Sequence, residues 1–323
     1  MKEHQDLMNT EFNTLRFSML KEVLVGLSKN QKSIHPKFLY DKVGSEIFDK
    51  ITSLKEYYIT RAEREILKRH ARDISRLVGP ESLIIEPGSG SGDKIRSILP
   101  YLIGPAGYIP LEISHETLSL MSQKLKNDFP KLEIFPVCAD FTTDFELPMQ
   151  FKKTVRKKVV FFPGSTIGNF DPDEACQFLK KTAQIVESGG GLLIGVDMKN
   201  DSEHLLKAYD DSEGVTASFN LNLLRRLNDE LGSDFDLENF SHLAILNSEL
   251  GRVEMHLKSQ KDQMVKVNQT VFRIKEGETI HTENSYKYSV GEFVELCGSV
   301  KFKLVKYWQD SKNLFTVYYF ERI

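Results

Sequence analysis

The segment Leu83-Ile84-Ile85-Glu86-Pro87-Gly88-Ser89-Gly90-Ser91-Gly92-Asp93-Lys94 constrains the fold of this chain more than any other. An apolar run ends in an acid and three alternating glycines, which reads as a strand, a tight turn and the start of a helix. Glycine takes positive φ without strain and lets a ligand approach the main chain with no Cβ in the way. In α/β proteins such turns hold nucleotide-like ligands. Gly88, Gly90 and Gly92 do not have the Gly-x-Gly-x-x-Gly spacing of a dinucleotide fingerprint, and no Gly-Lys-Ser/Thr follows at the distance a P-loop requires.

Two further acids extend the pattern. Tyr108-Ile109-Pro110-Leu111-Glu112 is a short apolar run ending in a carboxylate, about two dozen residues beyond the glycines, the usual βαβ interval. A carboxylate there can accept both hydroxyls of a ribose. Leu132 to Val137 reads as a third strand, followed by Asp140 and Phe141. Together with an acid preceding Gly-x-Gly, these strand ends resemble the class I S-adenosylmethionine-dependent methyltransferases. The resemblance implies that Asp140 meets the adenine amino group and that Phe141 covers the ring. Glu112 and Asp140 could equally cap the helices that follow them.

A chain of 323 residues with a net charge of -3 has ample length for a core and no basic field for nucleic acid. The run Lys152, Lys153, Arg156, Lys157, Lys158 reads as a solvated face. Cys138, Cys176 and Cys297 are far apart, with no Cys-x-x-Cys and no histidine at ligand spacing, so neither a disulfide framework nor a metal site is expected. The start is too charged for a signal peptide to be expected there, and no apolar run reaches membrane-spanning length. A cytoplasmic protein without membrane contact is expected, and a monomer suffices.

Residues 10–72 read as helices, at Thr14–Leu27, Gly44–Ile51 and Arg61–His70. Strands at 83–86, 108–113, 132–137, 158–163 and 191–197 then alternate with helical stretches, the rhythm of a doubly wound parallel sheet. After Asp197 come helices at 204–209 and 215–231, and alternating antiparallel strands from His242 to Ile280. A closing helix at 290–297 and strands at 302–309 and 314–322 match the end of a methyltransferase sheet. The expected fold class is α/β: a Rossmann-like, doubly wound methyltransferase sheet with an antiparallel last strand, plus a second α+β substrate-binding domain. The cofactor domain would comprise residues 61–198 and 286–323, and the substrate domain residues 1–60 and 199–285.

Four separated motifs make the resemblance specific. Phe38 to Phe48, Glu56-Tyr57-Tyr58-Ile59-Thr60-Arg61, Phe162-Pro163-Gly164-Ser165-Thr166-Ile167-Gly168-Asn169-Phe170 and His281-Thr282-Glu283-Asn284-Ser285 resemble the histidine-specific Nα-methyltransferases, over nearly the whole chain from about Pro36. The resemblance implies trimethylation of the α-amine of L-histidine to hercynine, the first step of ergothioneine biosynthesis, with S-adenosyl-L-homocysteine as by-product and no metal. It implies a cofactor set of Gly88, Lys94, Glu112, Asp140 and Phe141. Glu112 stands where the family pattern has Asp, so its reach is one methylene longer. The implied substrate set is Tyr57, Gly164, Asn169, Tyr209, Glu283, Asn284 and Ser285: Asn169 and Tyr209 at the α-amino and carboxylate end, Glu283 with Ser285 at the imidazole.

The expected chemistry is in-line attack of the neutral amine on the sulfonium methyl, with alignment as the main catalytic effect. Tyr40 and Asn169 are the candidate catalytic residues, Tyr40 orienting the amine or relaying its proton. The nearest rival is a relative of the same fold methylating another amino acid such as tryptophan. Glu283 speaks against it, because a buried carboxylate facing an indole carbon edge is costly. A noncatalytic amino-acid-binding regulatory module is the alternative from another class.

Overall fold

The computed structural model describes residues 16–143, 145–148, 151–200 and 202–323. They divide into two compact units. One takes the described residues of 1–56 with 202–247 and 253–284, and the other those of 57–201 with 248–252 and 285–323.

The second unit is built on a seven-stranded sheet in the order Phe302–Gln309, Phe315–Arg322, Gly191–Asp197, Lys157–Phe162, Ser82–Pro87, Gly107–Glu112, Val137–Cys138. The five strands from Gly191–Asp197 to Val137–Cys138 pair in parallel, whereas Phe315–Arg322 is antiparallel to both its neighbours. This is the expected doubly wound methyltransferase topology with its reversed strand. Gly191–Asp197 is buried along its whole length, as is Ser82–Pro87, which suits strands covered on both faces. Leu83, Ile85, Val160, Phe162, Leu192 and Ile194 lie in one apolar core with the helix Pro172–Val186.

The strand expected at 132–137 is much shorter. Only Val137–Cys138 is extended in the sheet, with an isolated bridge between Ile134 and Tyr108. Pro136 offers no N–H to a ladder, and the segment lies at the sheet edge, where proline is tolerated but pairing is interrupted. The helix expected at 61–70 instead runs Tyr58–Val78, ending at Gly79 with positive φ.

In the first unit the helix Lys42–Ile51 packs on Val215–Leu231. Asp41 caps the former, accepting from the Gly44 N–H at 2.6 Å, and the same oxygen accepts from Asn222 Nδ2 at 2.8 Å. A four-stranded sheet follows the order Lys32–Ser33, Thr279–Tyr286, Arg252–Ser259, Phe240–Asn247, and Gln263–Val267 forms a hairpin with Thr270–Ile274. No described helix is long and apolar enough to cross a membrane.

Candidate active site

The expected cofactor residues gather at the carboxyl ends of adjacent parallel strands, the place where open α/β sheets bind ligands. Gly88, Gly90 and Gly92 all have positive φ, at 67°, 49° and 71°. A Cβ at Gly88 would lie 3.2 Å from the Phe141 ring, and one at Gly92 2.8 Å from Met121. The turn is therefore a cradle that side chains would fill.

Glu112, at the end of Gly107–Glu112, braces this turn. Its Oε2 accepts from the Gly90 N–H at 3.1 Å, and its Oε1 from the N–H groups of Ile113 at 2.9 Å and Ser114 at 3.4 Å. Burial pushes its carboxyl above the usual range, while these three N–H groups oppose the shift. A carboxylate offers about four acceptor sites, so with three filled there is capacity on Oε2 for one ribose hydroxyl. Asp140 Oδ1 accepts from the Thr142 N–H at 2.9 Å and the Thr142 hydroxyl at 2.5 Å, fixing the chain after the edge strand. Phe141 is not simply a lid: its ring packs edge-on against Phe162, Phe170 and Phe178 while bordering Gly88. Glycine cradle, ribose-height carboxylate and aromatic wall fit an adenosine-bearing ligand such as S-adenosylmethionine.

Lys94 brings in a residue that sequence reasoning missed. Its Nζ lies 2.9 Å from Glu63, a carboxylate with no solvent exposure. Both Glu63 oxygens also accept from the Gly164 N–H, at 2.9 and 3.0 Å. Gly164 has φ of 88°, and a Cβ there would come 2.6 Å from Lys94 Nζ. Glu63 thus holds together one expected cofactor residue and one expected substrate residue. The available signal was an acid four residues after Ile59 and three before Ile66, on the apolar stripe of its helix.

Glu86, the acid of the glycine motif, is fully buried and accepts from the Tyr108 hydroxyl at 2.6 Å. Burial raises its pKa from 4.5 to about 8, the Tyr108 bond opposing the shift. An acid with a raised folded-state pKa holds its proton more tightly when folded. Stability should therefore decline as pH rises from about 4.5 towards 8 and level off above. Glu86→Gln keeps an acceptor for Tyr108 and removes this slope. Urea unfolding of both proteins at pH 5, 6.5 and 8 should show wild type losing roughly 2–4 kcal/mol relative to the variant. Parallel curves would mean that Glu86 is ionised at all three values.

The Phe162–Phe170 loop carries Asn169 at the end of a single 3-10 turn, Thr166–Asn169. Ser165 before it is left-handed, with φ of 59°, and its Oγ accepts from the Asp197 N–H at 2.9 Å. Tyr58 donates its hydroxyl to Asp197 Oδ1 at 2.7 Å, so of the two neighbouring tyrosines it is Tyr58 that is committed to this buried acid. Tyr57 caps the same helix, its carbonyl accepting from Arg61 at 3.2 Å. Asp197 pairs with Lys287 at 2.6 Å, and Lys287 donates to Ser285 Oγ at 2.8 Å. Neither ion-pair partner was foreseen, although Asp197 ends an otherwise apolar strand.

In the first unit, the Tyr40 ring packs edge-on against Phe48 and Phe219, each at 5.4 Å between centroids. The Tyr209 carbonyl accepts from His242 Nε2 at 2.8 Å, and His242 Nδ1 accepts from Asn220 Nδ2 at 3.0 Å, which fixes the tautomer. Burial lowers the His242 pKa, which favours the neutral ring. Glu283 is buried, and its carbonyl accepts from His281 Nε2 at 3.1 Å. Asn284 follows it on the strand.

Beside it, Glu254, His256 and His281 offer ligand atoms within 4.8 Å of one another. The two imidazoles, however, stack at 4.7 Å with planes 18° apart, so their in-plane lone pairs do not converge on one point. His256 Nε2 bonds Glu254 Oε2 at 2.9 Å, and the group is better described as a hydrogen-bonded stack than as a cation cage.

Residues 19–322 match the family described as histidine-specific methyltransferase, SAM-dependent. The chain is 36% identical over 307 residues to the histidine N-alpha-methyltransferase of Mycobacterium tuberculosis, covering 92% of this chain and 93% of that protein. It is 36% identical over 299 residues to the protein of the same name from Mycolicibacterium smegmatis, with 91% of each covered. The L-tryptophan methyltransferase of Psilocybe serbica is more distant, at 25% identity over 320 residues, 90% of this chain and 89% of that one.

Proposed function

Because the chain belongs to the SAM-dependent, histidine-specific methyltransferases, we propose that it converts L-histidine to hercynine by three successive methylations of the α-amine. The observation that carries this reading within the structure is the glycine cradle braced by Glu112 at the ends of adjacent parallel strands. S-adenosylmethionine, when bound, supplies an electrophilic methyl group that the neutral amine takes in line, leaving S-adenosylhomocysteine.

Gly88, Glu112, Asp140 and Phe141 would hold the adenosine part, and Lys94, paired with Glu63, would offer its charge to the cofactor's carboxylate. Asn169 and Tyr209 hold the α-amino and carboxylate end of histidine, with Tyr57 and Gly164 beside it. Glu283 and Ser285, adjoining Asn284, take the imidazole. Tyr40 lies in an aromatic group with Phe48 and Phe219, and electron-rich rings favour the ammonium that grows with each methylation. The amine must shed a proton before each transfer, and a desolvated setting lowers its pKa towards neutrality. After the third methyl the nitrogen has no lone pair and the sequence stops.

Stoichiometry tests the proposal. With limiting histidine and excess S-adenosylmethionine, three S-adenosylhomocysteine molecules should accumulate per histidine consumed. A plateau at one would overturn trimethylation, and no product would overturn the reaction.

A further inference from the structure

A buried carboxylate on the apolar stripe of a helix has to be held by its neighbours, and those of Glu63 come from three separate segments. The Gly164 N–H donates to both of its oxygens, at 2.9 and 3.0 Å, and so anchors the carboxylate from one side. Gly195, inside the buried strand Gly191–Asp197, leaves room for it: a Cβ there would lie 2.1 Å from Glu63 Oε1. Glycine in a strand interior weakens the strand and marks such a close approach. On the other side Lys94 Nζ lies 2.9 Å from Oε2, and Lys94 has no other ion-pair partner among the described residues. Arg64 bonds Asp93 at 3.0 Å next to this pair, so the backbone at Lys94 is tied to the same helix independently of Glu63. Exposure divides the roles. The Lys94 side chain is 23% exposed and that of Glu63 0%, so a ligand can touch the lysine and not the acid.

We infer that Glu63 is a positioning residue that holds the Lys94 ammonium in place for the α-carboxylate of the cofactor, and so makes the site select adenosyl compounds with an intact amino-acid end. This rests on the proposed placement of Lys94 at that carboxylate. Lysine carries its charge on a flexible four-carbon stem, and a stem ordered before the ligand arrives costs less affinity on binding. Glu63 supplies that order because the Gly164 N–H and the space at Gly195 fix its own position first. Its negative charge does little to repel the ligand. The amino-acid end is a zwitterion, with an ammonium on the carbon that bears the carboxylate, and the two charges nearly cancel at the distance of Glu63. What Glu63 contributes is therefore the place of Lys94. Methylthioadenosine shares the adenosine and the sulfur but lacks the amino-acid end, and gains nothing from it.

Calorimetric titration with S-adenosylhomocysteine and with methylthioadenosine separates this role from a structural one. Glu63→Gln keeps an acceptor for the Gly164 N–H and removes the charge that pairs with Lys94. It should bind S-adenosylhomocysteine about tenfold more weakly than wild type, with methylthioadenosine affinity unchanged within about twofold. Lys94→Met should show the same selective loss, about tenfold or more. In the double variant, which has no lone buried ion, the loss should be no greater than in Lys94→Met alone, because Glu63 acts through the lysine. Equal weakening of both ligands by Glu63→Gln would make Glu63 a structural residue and overturn the inference. Tighter binding of S-adenosylhomocysteine by that variant would also overturn it, since Glu63 would then only compete for the lysine. Losses that add in the double variant would do the same. If Lys94→Met leaves S-adenosylhomocysteine affinity intact, the placement of Lys94 fails and the inference with it. If Lys94→Met loses affinity while Glu63→Gln does not, only the role of Glu63 fails.

Discussion

Glu283→Ala should lower kcat/KM for histidine about 10- to 100-fold while leaving the dissociation constant for S-adenosylmethionine within about twofold. The magnitude follows from one hydrogen bond to a charged group, worth about 1.5–3 kcal/mol. The selectivity of the effect follows from position, since Glu283 lies on the strand Thr279–Tyr286, whereas the glycine turn is braced by Glu112. A site built for a polar ring rejects analogues lacking its groups because its own polar atoms are left unpaired. The variant should accordingly lose its preference for histidine over an isosteric apolar amino acid. Equal losses of histidine use and cofactor binding, measured by separate titrations, would assign Glu283 a structural role instead.

Glu112→Ala should have a comparably large effect of the opposite selectivity. The substitution removes the acceptor proposed for the ribose and releases three backbone N–H groups, that of Gly90 in the glycine turn and those of Ile113 and Ser114 just after Glu112. Cofactor affinity should fall about 100-fold, equivalent to roughly 2.7 kcal/mol. Histidine affinity, measured with saturating S-adenosylhomocysteine, should change little. Glu112→Asp keeps the charge on a shorter arm and should recover most of the lost affinity. If Glu112→Ala lowers thermal stability without weakening cofactor binding, its carboxylate serves the turn alone.

The sheet was legible because its strands are buried on both faces and read as uninterrupted apolar runs, as in Leu192 to Val196. The segment 132–137 misled for the opposite reason. It has strand-like composition, but edge position and Pro136 limit its pairing to Val137–Cys138 and one bridge. Gly88, Gly90 and Gly92 announced their backbone conformation through residue type alone, and all three have the positive φ expected. What the sequence concealed were partners supplied from distant elements. Glu63 contacts Lys94 and Gly164, and Asp197 contacts Tyr58, Ser165 and Lys287, at separations that no local periodicity encodes. Each is a charged residue where the local pattern asks for an apolar one. A burial cost that only a paired charge can offset was the one trace they left in the chain.

The same contrast explains why cofactor and acceptor were unequally readable. A nucleoside pocket is made mostly of backbone, so glycine spacing and strand-end acids describe it. An amino-acid acceptor is recognised by side chains from loops and strands such as Phe162–Phe170 and Thr279–Tyr286, whose spacing carries no general code.

The most direct test of the account is to incubate the protein with S-adenosylmethionine and an equimolar mixture of the free amino acids, and to follow every amino acid by mass spectrometry. The account predicts that histidine alone gains mass, passing through one and two methyl groups to a final trimethylated product. Methylation of tryptophan or another amino acid with histidine untouched would contradict it.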